Sequence, residues 1–514
     1  MSSLLLELLG KFAPSSDTIL CGRKLSGWTK ILSYGSLICL SVGCYNRQEV
    51  ENHEHSGSRL DLRGREEVIL EHLGSQYDKK QEPPEGKTPI RLLVQAGLLD
   101  GLPAKDGEPF PPRAAALDRF QSFYGVDVDV TQVTEADLVD GQLTEELLGE
   151  HELILVPSYW LVSAKDQRRL LPLEEANIEG LKLILEDFVN IFSPIPPSVD
   201  LNYLLPYMRL SYGIYYNQAH LSTPPSTWEQ CFLLIEDSRF WDAVYFLNDP
   251  EITLSIAAIL VANLDESRQA KLATTTEELA ARFRDFGSGF TLPAIDSLRT
   301  ECVDWFSSKG ERMNHVRLEM HQSVFKEHHA DQDLGLHQYV RTLSEKELDL
   351  AVRLIQLALV FGADFRGNME NPVDSVLKKW AMIVSASGDL IPKDNHYADI
   401  HYVIPEEGSL ILIDTFAIPA GLSEERLHHA SKLLNFMLLK PVAASVTTYS
   451  SRASLIPGSS AFVPSELINS PIYTLPSRDR MHFLPFFSPE LMSRKWEQIT
   501  SFQQTLQSGM GVAQ

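Results

Sequence analysis

The stretch YVIPEEGSLILIDTFAIP, residues 402–419, decides the fold. Its PEEG segment has turn chemistry, and the run Leu410 to Ile413 is apolar on both faces, as in a strand buried inside an α/β sheet. We predict that Asp414 stands at the end of this strand. Ligands collect at strand ends and where the chain crosses between the halves of an open α/β sheet, so Asp414 is a candidate site residue. The alternative is an acid that caps the following turn or pairs with a nearby arginine.

The residues after Pro419 have the pattern of an amphipathic helix. Ser423 is a suitable N-cap, Glu424 and Glu425 follow in the first turn, and apolar residues recur at helical spacing as far as Leu438. The segment is therefore predicted to be a strand, a turn and a helix.

The same alternation of strands and helices begins near Pro89. A buried strand is predicted at 91–97, and further strands at 126–133 and 153–158, with an amphipathic helix at 113–124 between the first two strands. This order is typical of a parallel sheet with crossover helices. The pattern resumes with a helix near Thr227, a strand at 232–235 and a helix at 251–263.

Composition bounds the function classes. A chain of 514 residues with 44% hydrophobic content can bury two cores, so two lobes are the natural expectation. The formal net charge of -24 argues against nucleic acid, whose phosphates require a basic surface, and it is compatible with a cationic ligand. The five cysteines form no CxxC motif, and we expect no disulfide framework.

The N-terminal region is predicted to be a signal segment, residues 1–44, followed by a flexible tether, residues 45–88. An apolar run at 31–43 is too short to span a bilayer and follows a basic lead-in. Small residues precede Cys44, as at a bacterial lipoprotein cleavage site, and Cys44 would then be lipidated. Leucine stands four rather than three residues before this cysteine. An uncleaved anchor or a plain secretion signal is the alternative.

Five blocks of sequence, in order, carry a resemblance to a known family. VIPEEGSLILIDTFAIPAG and the helix after it resemble the crossover segment of the periplasmic spermidine/putrescine-binding proteins, the solute receptors of polyamine ABC importers. The other four blocks are ELILVPSYW (152–160), LPYMRLSYGIYYN (205–217), STWEQCFLLIEDSR (226–239) and SASGDL (385–390). The resemblance covers roughly residues 89–505, apart from a long insertion.

The resemblance implies an α/β fold, a two-lobe periplasmic binding protein of type II-like architecture with two crossover segments and a helical insertion. Lobe 1 is predicted at 89–213 plus 415–457. Lobe 2 is predicted at 214–414 plus 458–510, with the insertion at about 264–378.

The function that the resemblance implies is extracytoplasmic solute binding for an ABC importer. Two lobes would close on a polyamine or similar small cationic solute and deliver it to a membrane permease. We expect a monomer in the periplasm or cell envelope, without cofactor or nucleic acid. An enzyme is not expected, because the sequence has no nucleophile elbow, Walker loop, HExxH or GxGxxG motif.

Binding a polyamine requires carboxylates for the ammonium ends and aromatic faces for the chain. The residues that match ligand-binding positions of the family are Ser158, Trp160, Asp237, Asp389, Asp414 and, if the helix before it is shortened, Tyr449. Each has a plainer alternative: Trp160 could pack within a lobe, and Ser158 and Asp237 could cap helices.

Several ligand positions of the family are changed. Phe240 stands where spermidine binders often have Glu, and Leu412 and Ala386 replace expected tryptophans. A second hypothesis follows, in which the protein has lost polyamine binding and has become an envelope interaction protein that uses the insertion as its partner surface.

No metal site is predicted. The insertion contains five histidines, but His321 and His328 are two helical turns apart, roughly 10 Å along a helix, and solvated helix faces account for them. Tyr215 and Tyr216 are similar to the paired tyrosines of related iron receptors, although sheet packing explains them better. The histidines are His315, His321, His328, His329 and His337.

Overall fold

The computed structural model describes residues 88–509 except 100–114, 135–136, 140, 194, 197, 222, 233–243, 248, 265–268, 271, 275–276, 278–344, 361–362, 367–379, 390–398 and 484–488. All of the described residues belong to one compact unit. The predicted signal segment with Cys44, the tether as far as residue 87, Asp237 and the five histidines of the insertion lie outside the described residues.

Eleven strands of the described chain form one mixed sheet. Its order is β2-β1-β3-β9-β4-β7-β5-β6, and β8 and β10 also pair with β4 while β11 pairs with β9. The strands are β1 (Ile90–Gln95), β2 (Val128–Val133), β3 (Leu153–Pro157), β4 (Leu205–Asn217), β5 (Val244–Leu247), β6 (Asp364–Arg366), β7 (Met382–Ala386), β8 (Ile400–Val403), β9 (Ser409–Ala417), β10 (Ala453–Ser454) and β11 (Met481–Phe483).

Helices surround this sheet. They are α1 (Ala115–Tyr124), α2 (Glu145–Glu150), α3 (Val162–Asp166), α4 (Leu181–Ile191), α5 (Trp228–Phe232), α6 (Pro250–Asn263), α7 (Glu345–Val360), α8 (Glu424–Met437), α9 (Lys440–Ser450), α10 (Ser465–Ile468) and α11 (Pro489–Gly509). Short 3-10 turns lie at Ser158–Leu161, Leu173–Glu175, Ser459–Phe462, Pro471–Tyr473 and Arg478–Arg480.

The first part of the sheet is parallel, as the alternating pattern predicts. β1 pairs in parallel with both β2 and β3, and all five residues of β3 are buried. The helix predicted at 113–124 is α1, and its Phe120 packs edge-on against Phe436 of α8 with ring centroids 5.4 Å apart. The N-cap prediction for α8 is confirmed, because Ser423 Oγ accepts a hydrogen bond from the Arg426 N–H at 3.3 Å.

Strand β4 connects the two parts of the sheet. All 13 of its residues are buried, and its first half pairs with β9 as far as Ser211. From Tyr212 onward it pairs with β7, and from Ile214 also with β8. The lobe boundary predicted after residue 213 falls inside this continuous strand. The division into two lobes stays a prediction.

The prediction that a strand ends at Ile413 is wrong. β9 runs from Ser409 to Ala417, so Asp414 lies within the strand and not at its end. The strand continues because its last four residues, 414–417, pair antiparallel with β3. β4 also pairs with β9 as far as Phe416, so both edges of the strand remain hydrogen-bonded. Tertiary pairing on both sides therefore overrides the polar residue in the sequence.

The second part of the sheet is covered by an apolar helical core. Helix α6 begins with Asp249 as N-cap and Pro250 in its first turn, and it buries apolar residues around its whole circumference, including Ile252, Leu254 and Leu260. Helix α7, which lies within the predicted helical insertion, packs against α6 and α11. The last part of the predicted insertion is therefore part of the main core. The strand predicted at 232–235 begins at the final residue of α5 and otherwise lies outside the described residues.

Candidate functional site

One line of paired residues crosses the middle of the sheet. Strand β3 ends at Pro157, which pairs with Asp414 of β9. Asp414 pairs in turn with Met208 of β4, and Met208 pairs with Ser454 of β10. Because β1 and β3 are parallel neighbours, the carboxyl end of β1 at Gln95 borders the same line. Asp414 therefore lies beside the carboxyl ends of parallel strands, where ligands bind in open α/β sheets.

Asp414 is an incompletely satisfied buried acid. It is 0% exposed, and its Oδ2 accepts a hydrogen bond from Arg452 Nη1 at 2.6 Å. Its Oδ1 has no hydrogen-bond partner among the described residues. Burial raises the pKa of the Asp414 carboxyl, although the charge of Arg452 opposes the rise. Pairing with an arginine is thus what the structure shows, and direct ligand binding by Asp414 stays a prediction.

Arg452 is the site residue that sequence reasoning missed. It lies between the end of α9 and β10, and its side chain is 15% exposed. Within the described chain, the one hydrogen bond that its side chain donates is to Asp414. The possibility of an arginine partner for Asp414 was open in the sequence, but 38 residues separate the two, and no local pattern identifies the pair.

Asp389 is the accessible acid of the site. It follows β7 in the SASGDL block and is exposed to solvent. Its Oδ2 accepts hydrogen bonds from the Ser385 hydroxyl and from the Ala386 N–H, the latter at 3.1 Å. These local bonds hold the carboxylate in a fixed position. Asp389 and Arg452 are near enough for their charges to interact.

A close backbone contact fixes the two segments that carry these charges. A Cβ atom on Gly388 would lie 2.0 Å from the carbonyl oxygen of Ser451, so this position has room only for glycine. Ser451 itself has a φ of 58°, in the left-handed region that L-residues rarely adopt. The contact places Asp389 and Arg452, the residues that follow, on adjacent segments.

Ser158 and Trp160 belong to the 3-10 turn that follows β3. Ser158 is buried, and its Oγ lies 2.8 Å from Ser198 Oγ in a hydrogen bond. Trp160 is also buried, within an apolar cluster that includes Leu93 and Val156, and its Nε1 has no hydrogen-bond partner among the described residues. Trp160 therefore packs in the core, as its alternative interpretation states. Binding roles for both residues stay predictions.

A second buried arginine has a structural role. Arg209 of β4 donates hydrogen bonds to two main-chain carbonyls, from Nη1 to Ile472 at 3.5 Å and from Nη2 to Tyr473 at 3.3 Å. Burial lowers the pKa of Arg209 to about 10. Its guanidinium thus attaches β4 to the turn at 471–473.

Tyr215 and Tyr216 lie in two different clusters. Tyr215 donates a hydrogen bond to the Ser387 carbonyl at 2.6 Å and packs with Tyr245 and Trp380. Tyr216 belongs to the core around α6 and α7. Adjacent strand residues point to opposite faces, so this pair does not form a joint binding site. The described part of the chain contains no group of three or more His, Cys, Asp and Glu side chains that could hold a metal ion.

The chain matches no family model and no curated protein. Among solved structures, it is similar to a spermidine/putrescine ABC transporter substrate-binding protein from Streptococcus pneumoniae, with a TM-score of 0.51, 14% identity, and coverage of 82% of this chain and 100% of that one. The fold is that of a periplasmic solute-binding protein.

Other solved structures show lower similarity. A lipoprotein of Treponema pallidum gives a TM-score of 0.47 at 13% identity, covering 80% of this chain and 99% of that one. A periplasmic thiamin binding protein gives 0.45 at 12% identity, covering 83% and 99%.

The solute-binding fold brings together part of the predicted site. Asp414 lies on the central line of the sheet, and Ser158 follows Pro157 of that line. Asp389 lies on the segment that contacts Ser451, next to Arg452, while Trp160 packs in an apolar cluster. Tyr449 lies in the last turn of α9, and its side chain is outside the described part, as is the whole of Asp237. No helix in the described ranges is both long enough and apolar enough to cross a membrane.

Proposed function

We propose that this protein is the extracytoplasmic solute-binding protein of an ABC importer. It binds a small solute that carries a positively charged group, polyamines being one such class, between two lobes and delivers it to a permease, and no bond is made or broken. The protein acts in the periplasm or cell envelope, with Cys44 as a lipid anchor. The fold supports the solute-binding class, and the chemistry of the site supports a positively charged group on the solute.

The observation that carries this proposal is Asp389. Asp389 is an exposed residue, yet its carboxylate is held by the Ser385 hydroxyl and the Ala386 N–H, and burial of the carboxyl raises its pKa. An ammonium group that binds such a preorganised carboxylate forms a charge-assisted hydrogen bond, which contributes on the order of 1.5 to 3 kcal/mol. Asp389 follows β7 directly, and β7 pairs with β4 from Tyr212, where β4 leaves β9.

Closure would then follow from differential affinity. A solute that contacts both lobes binds the closed form better than the open form and shifts the equilibrium toward closure, and the permease recognises the closed form. Such a solute needs contacts with only a few polar groups, provided that both lobes contribute at least one of these groups.

The test is calorimetric titration of the full chain with spermidine, putrescine and butane-1,4-diol, the neutral counterpart of putrescine. Each titration is repeated at high salt, which screens unspecific attraction to an acidic protein. We expect saturable one-to-one binding of a cationic solute that persists in salt. Asp389→Asn should weaken it at least tenfold, about 1.4 kcal/mol. The matched control is Glu146→Gln, an exposed acid on α2, which should change nothing.

An absence of binding to both polyamines would exclude that class of solute, and an absence of binding to any charged solute would overturn the proposal and favour the second hypothesis, an envelope interaction protein. Helix α7 is largely buried against α6 and α11, so this part of the predicted insertion is not a free partner surface. A partner would have to use another part of the insertion.

A further inference from the structure

The two members of the central ion pair differ in accessibility. Asp414 is 0% exposed, whereas the side chain of Arg452 is 15% exposed. A solute that approaches from solvent therefore meets the side chain of Arg452 before the carboxylate of Asp414. Asp414 lies behind Arg452 and orients it through the 2.6 Å bond to Nη1. In this arrangement Asp414 is a positioning residue, and Arg452 is the group presented to the solute.

Arg452 has hydrogen-bonding capacity to spare. A guanidinium carries five N–H donors in a planar fork. Among the described residues, its side chain donates to Asp414 alone. The remaining donors suit a planar pair of acceptor oxygens, as in a carboxylate, which arginine binds through two parallel hydrogen bonds.

The charges of the site do not suit a polyamine. Asp389 and Asp414 contribute two negative charges and Arg452 one positive charge, which leaves a single surplus negative charge. A diamine or triamine would bring two or three ammonium groups to this site, and one of them would lie close to the guanidinium. Like charges at short range repel, most strongly where water is excluded.

We infer that the solute is amphoteric, with an ammonium group that binds Asp389 and a carboxylate that binds Arg452. The contact between Gly388 and Ser451 keeps the two residues on adjacent segments, within the span of a small molecule. This inference rests on the proposed solute-binding function and names the class of solute that the same site takes.

The test compares solutes that differ only in their end groups. The full chain is titrated calorimetrically with putrescine, 4-aminobutanoate and succinate, three four-carbon chains with two ammonium groups, one of each group and two carboxylates. The six-carbon series of 1,6-diaminohexane, 6-aminohexanoate and adipate is run in parallel, because the distance between the two charges sets the best length. We expect the amino acid of at least one series to bind at least tenfold more tightly than its diamine and its diacid.

Two variants test the role of Arg452. Arg452→Gln removes the positive charge and should reverse the preference, so that the diamine binds more tightly than the amino acid. A general loss of folding would weaken all probes and could not produce such a reversal. Arg452→Lys retains the charge but loses the planar fork, and it should keep the preference for the amino acid at about tenfold lower affinity. It keeps the test decisive if Arg452→Gln does not fold.

The other outcomes separate this inference from the proposed function. Tighter binding of the diamine by the unmodified protein would overturn the amphoteric solute and support a cationic one. Tightest binding of the diacid would overturn both, as would an absence of binding by all six probes. An unchanged order of affinities in Arg452→Gln would show that Arg452 does not select the solute, and would overturn the inference.

Discussion

Two carboxylates among the described residues are completely buried, and their hydrogen-bonding capacity is satisfied to very different degrees. Glu152, just before β3, accepts hydrogen bonds from the Arg91 main-chain N–H at 2.6 Å, from Arg91 Nη2 at 2.8 Å and from Arg91 Nε at 3.2 Å, and it pairs with Arg426 Nη2 at 2.8 Å. Asp414 accepts one hydrogen bond, from Arg452, and its Oδ1 has no partner in the described chain. Both side chains are 0% exposed.

The difference matches the position of each acid in the sheet. Glu152 lies at the amino ends of β1 and β3 and connects them to α8 through Arg426. Asp414 lies at the carboxyl end of β3, beside the site. Burying a charge is costly unless hydrogen bonds replace the lost water, so full satisfaction indicates a structural role. The degree of satisfaction, rather than burial alone, distinguishes the structural acid from the candidate functional acid.

The largest expected effect on the free energy of unfolding comes from neutralising each of the two buried acids in a separate variant. Glu152→Gln should lower the free energy of unfolding by about 3 kcal/mol, because it leaves two arginines without their shared carboxylate. Asp414→Asn should lower it by about 1 to 2 kcal/mol, since one charge-assisted hydrogen bond is lost. Urea unfolding of both variants measures the difference, and Asp414→Asn should in addition weaken solute binding. The comparison fails if Asp414→Asn costs as much stability as Glu152→Gln.

A glycine variant tests whether the contact between Gly388 and Ser451 holds the site together. Gly388→Ala places a Cβ 2.0 Å from the Ser451 carbonyl oxygen, so the backbone must move, at a cost of about 2 kcal/mol. The movement should also weaken solute binding, because it separates Asp389 from Arg452. The matched control is Gly149→Ala in α2, where nothing lies within 4 Å of the new Cβ. Alanine there should stabilise the helix by about 0.5 to 1 kcal/mol. Wild-type stability and affinity in Gly388→Ala would show that the contact does not hold the site together.

Most of the strand and helix pattern follows from local sequence. The parallel strands β1 and β3 have nearly continuous apolar runs, β2 has valines at its first, third and last positions, and Ser423 has the chemistry of an N-cap. Helix α7 lies in the predicted helical insertion, but a helical pattern does not show what a helix packs against. Its place in the core, rather than in a separate insertion, follows from contacts with α6 and α11, which are distant in sequence.

The site was less accessible to sequence reasoning. Asp389 is identified through the resemblance of the SASGDL block, and the residues that hold it, Ser385 and Ala386, belong to the same block. The partner of Asp414 could not be identified in this way, because Arg452 approaches it only through the packing of β10 against β4. The need for glycine at 388 has the same origin, since the atom that excludes a side chain belongs to Ser451. Both features depend on contacts between distant segments, which carry no signature in a single sequence.

A third acid, Glu407, is hydrogen-bonded less fully than Glu152 and more fully than Asp414. Its substitution should have the smallest effect on the free energy of unfolding. Glu407 accepts hydrogen bonds from the N–H groups of Trp228 and Glu229, at 3.1 and 3.4 Å. Burial raises the pKa of its carboxyl from 4.5 to about 7, and these hydrogen bonds only partly oppose the rise. The folded protein therefore binds a proton at Glu407 more tightly than the unfolded chain does.

The sign of the pH dependence follows from this difference. The contribution of Glu407 to stability is complete below pH 4.5 and is lost as the pH rises through about 7. Allowing for partial exposure to solvent, the loss should be on the order of 1 to 2 kcal/mol. Burial lowers the pKa of the neighbouring His482. The contribution of His482 to stability therefore rises with pH, and the pH dependence measured for the wild type is the sum of the two contributions.

The Glu407→Gln variant isolates the carboxyl, because it cannot titrate and leaves His482 in place. Below pH 4.5 the wild type and the variant differ by a constant amount, since both carry a neutral group at 407. From there to about pH 8 the wild type should lose stability relative to the variant, as measured by urea unfolding at each pH. Parallel curves would mean that the Glu407 carboxyl has the same pKa in the folded and unfolded protein, because its two main-chain hydrogen bonds offset its burial. Glu407 would then be a second structural acid, and Asp414 alone of the three would retain an unsatisfied buried oxygen.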